Sequence, residues 1–231
     1  MSRSRRISLV SLTLAIATLV GCGGDTPAAV DRSSRPATTS VAVPAQETRP
    51  RVVFLGDSLT AGLGLTPDQA YPALIQQRID AEGLGFEVVN AGVSGDTSAG
   101  GLSRLDWALE GDVRVLLVAL GGNDGLRGLP PSALKKNLST IIERAQARHI
   151  QVILAGMESP PNFGQSYIVE FHKVYPALAE RYGVPLTPFL LQDVAGIDRL
   201  NQRDGIHPTA EGARRVADTV WTVLRPTLKG Q

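Results

Sequence analysis

Ser58 follows Gly56-Asp57, and His207 follows Asp204-Gly205-Ile206; these are the residues of the 231-residue chain whose surroundings best suit chemistry. The run Arg51-Val-Val-Phe-Leu55 before Ser58 is β-branched and apolar, so the serine falls on a turn from strand to helix. On such a turn its Oγ is exposed and its backbone N–H lies at a helix N-terminus, where a developing oxyanion is favoured. A serine there also makes a good helix N-cap, so Gly-Asp-Ser alone does not decide. Leu59-Thr60 come next, so this is not the Gly-x-Ser-x-Gly elbow. With two residues between them, Asp204 and His207 can fold so that the carboxylate reaches the imidazole. The aspartate would then fix the ring's tautomer and stabilise the imidazolium after it accepts a serine proton. Asp-x-x-His can also ligate a metal, but no second His or Cys accompanies it, which argues against a closed site.

Two glycine-bearing segments complete the set. In Asn90-Ala-Gly-Val-Ser-Gly95-Asp96-Thr97, Gly95 lets backbone approach a ligand and offers an N–H as a second oxyanion donor. The same segment could simply be a loop that caps the next helix through Asp96 or Thr97. In Gly121-Gly122-Asn123-Asp124 the Asn123 amide is a donor, although such sequences also make ordinary turns.

All four motifs must be held by strands and helices that alternate. Strands are predicted at 51–55, 86–89, 113–119, 150–155 and 184–187, the last weakened by Pro185 and therefore suited to a sheet edge. Apolar stripes predict core helices through Leu134, Leu138, Ile141, Ile142 and Ala145, then from Ile168 to Tyr182, then from Ala213 to Leu224. His149 and His172, the other two histidines, fall in helical segments with no motif around them. Alternation implies a parallel sheet covered on both faces, and ligands of such sheets bind beyond the strands' carboxyl ends. Each motif follows a strand or precedes the last helix.

Composition narrows the rest. The chain is 43% hydrophobic and 19% charged with formal charge +1, and no basic cluster in its body suggests a nucleic-acid partner. Arg3, Arg5 and Arg6 precede an apolar run from Ile7 to Val20, too short for a comfortable span, which reads as an export signal. The run closes on Leu19-Val20-Gly21-Cys22. This junction resembles the lipobox of bacterial lipoproteins, which implies cleavage after residue 21, lipidation of Cys22 and a membrane anchor facing the periplasm. A plain signal peptide with a coincidental cysteine is the alternative. Gly23 after the cysteine resembles outer-membrane sorting if the host is Gram-negative. Loss of residues 1–21 removes three arginines and takes the charge from +1 to −2. Residues 22–50 are rich in Pro, Thr, Ser and Ala and are expected to form a disordered tether, leaving 51–228 as the catalytic domain. Cys22 is the only cysteine, so no internal disulfide is available.

The four motifs, in this order and at these strand ends, resemble the SGNH (GDSL-type) hydrolase superfamily, most of all its bacterial thioesterase, lysophospholipase and arylesterase members. The likeness runs from about Val52 to Trp221 through Val-Ser-Gly-Asp-Thr-Ser, Leu-Gly-Gly-Asn-Asp-Gly-Leu-Arg-Gly and Asp-Gly-Ile-His-Pro. It implies a flavodoxin-like three-layer α/β/α sandwich with a parallel sheet of about five strands. It assigns Ser58 as nucleophile, and Asp204 and His207 as the rest of a triad. It makes the Ser58 and Gly95 N–H groups and the Asn123 side chain the oxyanion hole. It implies an acyl ester or thioester substrate, no metal, no organic cofactor and a monomer. The segment from Met157 to Phe163, with Pro160 and Pro161, is a candidate acyl channel; it could equally cap the core. A carbohydrate deacetylase on the same fold, and a non-catalytic lipoprotein, are the rival readings.

Overall fold

The computed structural model describes residues 49–230; the signal segment, Cys22 and all but the end of the expected tether lie outside the described residues. Five strands, β1 (Arg51–Gly56), β2 (Glu87–Gly92), β3 (Val113–Ala119), β4 (Gln151–Ala155) and β5 (Leu186–Thr187), form one parallel sheet in the order β2-β1-β3-β4-β5. Helices fill the crossovers: α1 (Ser58–Ala61), α2 (Tyr71–Ala81), α3 (Ser98–Ser103), α4 (Leu105–Ala108), α5 (Gly122–Leu126), α6 (Pro131–Gln146), α7 (Gln165–His172), α8 (Val174–Tyr182) and α9 (Ala210–Lys229). Helices α2 and α9 pack together, while α6 packs against both α3 and α8. The result is the expected α/β fold with helices on a parallel sheet. No described helix is long and apolar enough to cross a membrane.

The three inner strands explain the near-continuous apolar runs, because a strand covered on both faces has no solvent side to alternate toward. Val52 to Leu55, Val115 to Ala119 and Val152 to Ala155 are all buried. The stripe on α6 buries all five of its expected residues, and that on α9 buries Ala213, Val216, Ala217, Val220 and Leu224. Trp221, expected on the same stripe, is only partly buried and packs at the core's margin.

Elsewhere the elements differ from expectation for identifiable reasons. The stripe from Ile168 to Tyr182 is two helices, not one, broken at Lys173. Pro176 has no N–H to give the carbonyl of His172, and its ring crowds that turn. His149 lies outside any helix, in the turn after α6, with φ of 59°. β2 starts at Glu87 rather than Phe86 and continues to Gly92, because Gly56 at the end of β1 pairs with Gly92. β5 contains only Leu186 and Thr187 at the sheet edge, while Pro185 supplies just a carbonyl, to the Leu154 N–H at 2.9 Å.

From β1 the chain passes outward to β2, then returns across β1 to β3. The loops after β1, β2 and β3 therefore meet at one carboxyl-end crevice, the switch point of a doubly wound sheet.

Candidate active site

Ser58 opens α1 immediately after β1 and is 8% exposed. Its neighbour Asp57 is the N-cap, accepting the Leu59 N–H on Oδ1 at 3.0 Å, so the serine itself is left free of the capping duty. The Ser58 N–H belongs to the first turn, where no intrahelical carbonyl is available to it.

His207 reaches Ser58 from the far end of the chain. Its Nε2 is 2.8 Å from Ser58 Oγ, and its Nδ1 is 2.7 Å from Asp204 Oδ2. With Nδ1–H donating to the carboxylate, Nε2 carries the lone pair that accepts the serine proton. Asp204 Oδ1 accepts the backbone N–H of Ile206 at 2.9 Å and of His207 at 3.0 Å. These backbone bonds first, and then the His207 ring, hold the Asp204 carboxyl down at a pKa of about 2. The loop is fastened by Gln202, a residue without motif value in the sequence. Its amide donates to Leu63 O at 2.7 Å, just beyond α1, and to Pro208 O at 2.9 Å, while its N–H donates to His207 O at 2.7 Å.

Gly95 lies in the turn after β2 with φ of +85°, a conformation in which any side chain would be strained. The Asp96 N–H closes that turn onto Val93 O at 3.1 Å. Asn123, in the first turn of α5, donates its amide to Asp96 O at 2.9 Å and, at 3.3 Å, to Asp57 Oδ2. The amide is a donor at the carboxyl edge of the sheet, and it is already engaged there. Both N–H groups have partners, and the long contact to Asp57 is the weaker and the easier to exchange.

Asp57 had no role in the sequence reading beyond its place in the motif. It is 2% exposed, and burial pushes its carboxyl up to a pKa of about 6, against the Leu59 N–H, the His207 charge and the Asn123 amide, which lower it. Asp124, also buried, accepts the Ser98 N–H at 2.7 Å and the Ser98 hydroxyl at 2.5 Å, tying α5 to α3. An aspartate inside a long apolar run would have signalled burial; Asp57 caps α1 and Asp124 sits in the first turn of α5, places where aspartate is ordinary.

A cleft of about 590 Å³ opens beside these groups. Asp57, Ser58, Gly95, Asn123 and His207 line one wall, and Met157, Pro160, Pro161, Phe189 and Leu191 contribute apolar surface. Met157 to Pro161 thus border the cleft as expected of a candidate channel. Phe163 does not: it packs on Tyr167 with the rings tilted at 50° and their centroids 5.3 Å apart, and covers Gly128. His172, at the end of α7, is bonded through Nδ1 at 2.7 Å to Glu158, which lines the cleft. Among the described residues, no three His, Cys, Asp or Glu side chains converge as metal ligands would.

Residues 54–215 match the model of the GDSL-like lipase/acylhydrolase family. The esterase TesA of Pseudomonas aeruginosa is 44% identical over 178 residues, covering 77% of this chain and 89% of that protein. The thioesterase 1/protease 1/lysophospholipase L1 of Escherichia coli is 38% identical over 176 residues, covering 76% and 83%. The crystal structure of TesA superposes with a TM-score of 0.73 at 44% identity, over 76% of this chain and 98% of that one. A serine hydrogen-bonded to a histidine at the crevice of this sheet accords with those likenesses. The chain belongs to the GDSL-like lipase/acylhydrolase family of SGNH hydrolases, and its chemistry is serine ester hydrolysis.

Proposed function

We propose that Ser58 is the nucleophile, His207 its general base and Asp204 the group that orients the ring. The 2.8 Å approach of His207 Nε2 to Ser58 Oγ carries this reading. As Oγ attacks the substrate carbonyl carbon, its proton passes to His207 Nε2. The negative charge on the carbonyl oxygen is met by the N–H groups of Ser58 and Gly95 and the amide of Asn123, which gives up its long contact to Asp57. Collapse breaks the bond to the leaving alcohol or thiol, which takes the proton from His207. Water then attacks the acyl-enzyme, gives a proton to His207, and the acid leaves as that proton returns to Ser58.

The cleft supports a reading of the substrate class. Its volume and the apolar surface of Met157, Pro160, Pro161, Phe189 and Leu191, interrupted by Glu158 and Ser159, suit a fatty-acyl chain rather than a bare acetyl group, in aryl esters, lysophospholipids or acyl thioesters. The relatives' names, esterase and thioesterase/lysophospholipase, support the same range. We place the enzyme outside the cytoplasm, lipid-anchored through Cys22; the support is the basic, apolar and Gly-Cys order of the first 22 residues. Incorporation of labelled fatty acid that disappears in Cys22→Ser checks the anchor.

Ser58→Ala decides the main reading. Its turnover of p-nitrophenyl esters is expected to fall about 10⁶-fold, with fluorophosphonate labelling abolished and the fold retained. Wild-type turnover in that variant would remove Ser58 from the mechanism. A series of acyl chain lengths tests the cleft, since a sharp preference for acetyl would favour a deacetylase instead.

A further inference from the structure

Arg104 follows α3 and reaches back beneath the crevice with only 16% of its side chain exposed. Each of its three nitrogens is engaged. Nε donates to Asp96 Oδ2 at 2.7 Å, Nη1 to Ala91 O at 2.7 Å and Nη2 to Gly56 O at 2.9 Å. Gly56 ends β1 two residues before Ser58, Ala91 lies in β2 four residues before Gly95, and Asp96 directly follows Gly95. The Gly56 carbonyl also takes the Val93 N–H at 3.0 Å, and the Asp96 carbonyl takes the Asn123 amide at 2.9 Å. All three segments that bear the oxyanion donors are therefore joined, directly or through one bond, to a single guanidinium.

We infer that Arg104 is a positioning residue that sets the mutual spacing of the Ser58, Gly95 and Asn123 donors. The inference rests on the oxyanion hole proposed above. A guanidinium is planar, with donors at fixed separations, so three acceptors bound to it cannot drift apart without breaking a charge-assisted bond. Its partner Asp96 is 19% exposed on its side chain, so water does not readily replace either group. Room for that carboxylate is itself specific: a Cβ on Gly100 would meet Asp96 Oδ1 at 2.6 Å. A pair that served stability alone would need one acceptor; here two more come from the ends of the strands that present the donors. Lysine, with one nitrogen, cannot span them.

Arg104→Lys, Asp96→Asn and Asn123→Ala, singly, and Arg104→Lys with Asn123→Ala, test this by steady-state kinetics on a p-nitrophenyl ester. Arg104→Lys is expected to lower kcat about 10- to 100-fold with KM within about threefold, as a misplaced catalytic donor does. Affinity for an alkylboronic acid, which forms a tetrahedral adduct on the serine, should fall in proportion. The double variant should lose less than the product of the single losses, because both changes disable one hole. Methylguanidinium at low millimolar concentration should restore part of the activity of Arg104→Ala. Wild-type kcat in folded Arg104→Lys, losses that multiply fully with Asn123→Ala, or losses that only track the unfolded fraction would each overturn the inference. Should the Arg104 variants not fold, Asp96→Asn carries the same comparison. A fully active Asn123→Ala would instead strike the oxyanion reading itself.

Discussion

The two halves of the site are built differently. The nucleophile half lies at the strand ends, with Asp57 nearly inaccessible, Arg104 mostly covered and Asn123 bonded across to two other loops. Its bonds join residues 27 to 66 positions apart for Asn123 and 48 for Arg104 to Gly56. The base half, Asp204 to His207, is a local turn. Asp204 is 45% exposed on its side chain and makes its three bonds to residues two or three positions away. Besides the His207 Nε2–Ser58 Oγ bond itself, Gln202 ties that turn across to the serine side. A buried donor array cannot reorganise when charge develops, which suits an oxyanion hole; the base is itself mostly covered, and it is the carboxylate orienting it that stands open to water and is wired locally.

Removing the base tests this contrast most strongly. His207→Ala is expected to lower kcat about 10⁶-fold, as loss of the histidine alone does in a serine triad. Equal activity in that variant and the wild type would break the proposed division of labour. Asp204→Ala should cost less, at most about 10⁴-fold, because an exposed carboxylate leaves water to take up the Nδ1–H. A loss equal to that of His207→Ala would mean that the exposed half is as preorganised as the buried one.

The smallest effect concerns Asp57 and is read in stability. Its folded-state pKa of about 6 lies above the ordinary 3.8, so between about pH 4 and pH 6 the folded protein holds a proton that the unfolded chain has lost. Stability contributed by this group is therefore present at low pH and declines as pH rises through that window, by about 3 kcal/mol in all. Asp57→Asn should abolish that decline in urea midpoints measured from pH 4 to pH 7. Part of the gain is offset because its amide would face the Asn123 amide. Asp204 acts in the opposite sense: its lowered pKa of about 2 gives stability above pH 4 that is lost on acidification toward pH 2. An unchanged slope in Asp57→Asn would show that the burial of Asp57 does not govern this range.

Much of this was legible in the sequence. Apolar runs at 51–55, 113–119 and 150–155 and the stripes on α6 and α9 announce buried strands and helices through periodicity, a local property. Asp204 and His207 could be paired on paper because their coupling spans three residues. The single helix expected from Ile168 to Tyr182 was misread because apolar spacing continues through the break that Pro176 imposes. Phe163 was misplaced because nothing local distinguishes a ring that faces the cleft from one that packs on Tyr167.

Residue types and short spacings by themselves determined the alternating strands and helices, the order of the motifs and the identity of the groups able to react. Only the tertiary structure decided that Ser58 and His207, 149 positions apart, meet at 2.8 Å, and that Arg104 and Gln202 act as fasteners. Most of the bonds made by those two residues go to backbone carbonyls. A carbonyl has the same chemistry at every position, so no residue identity records which one folding will bring within reach.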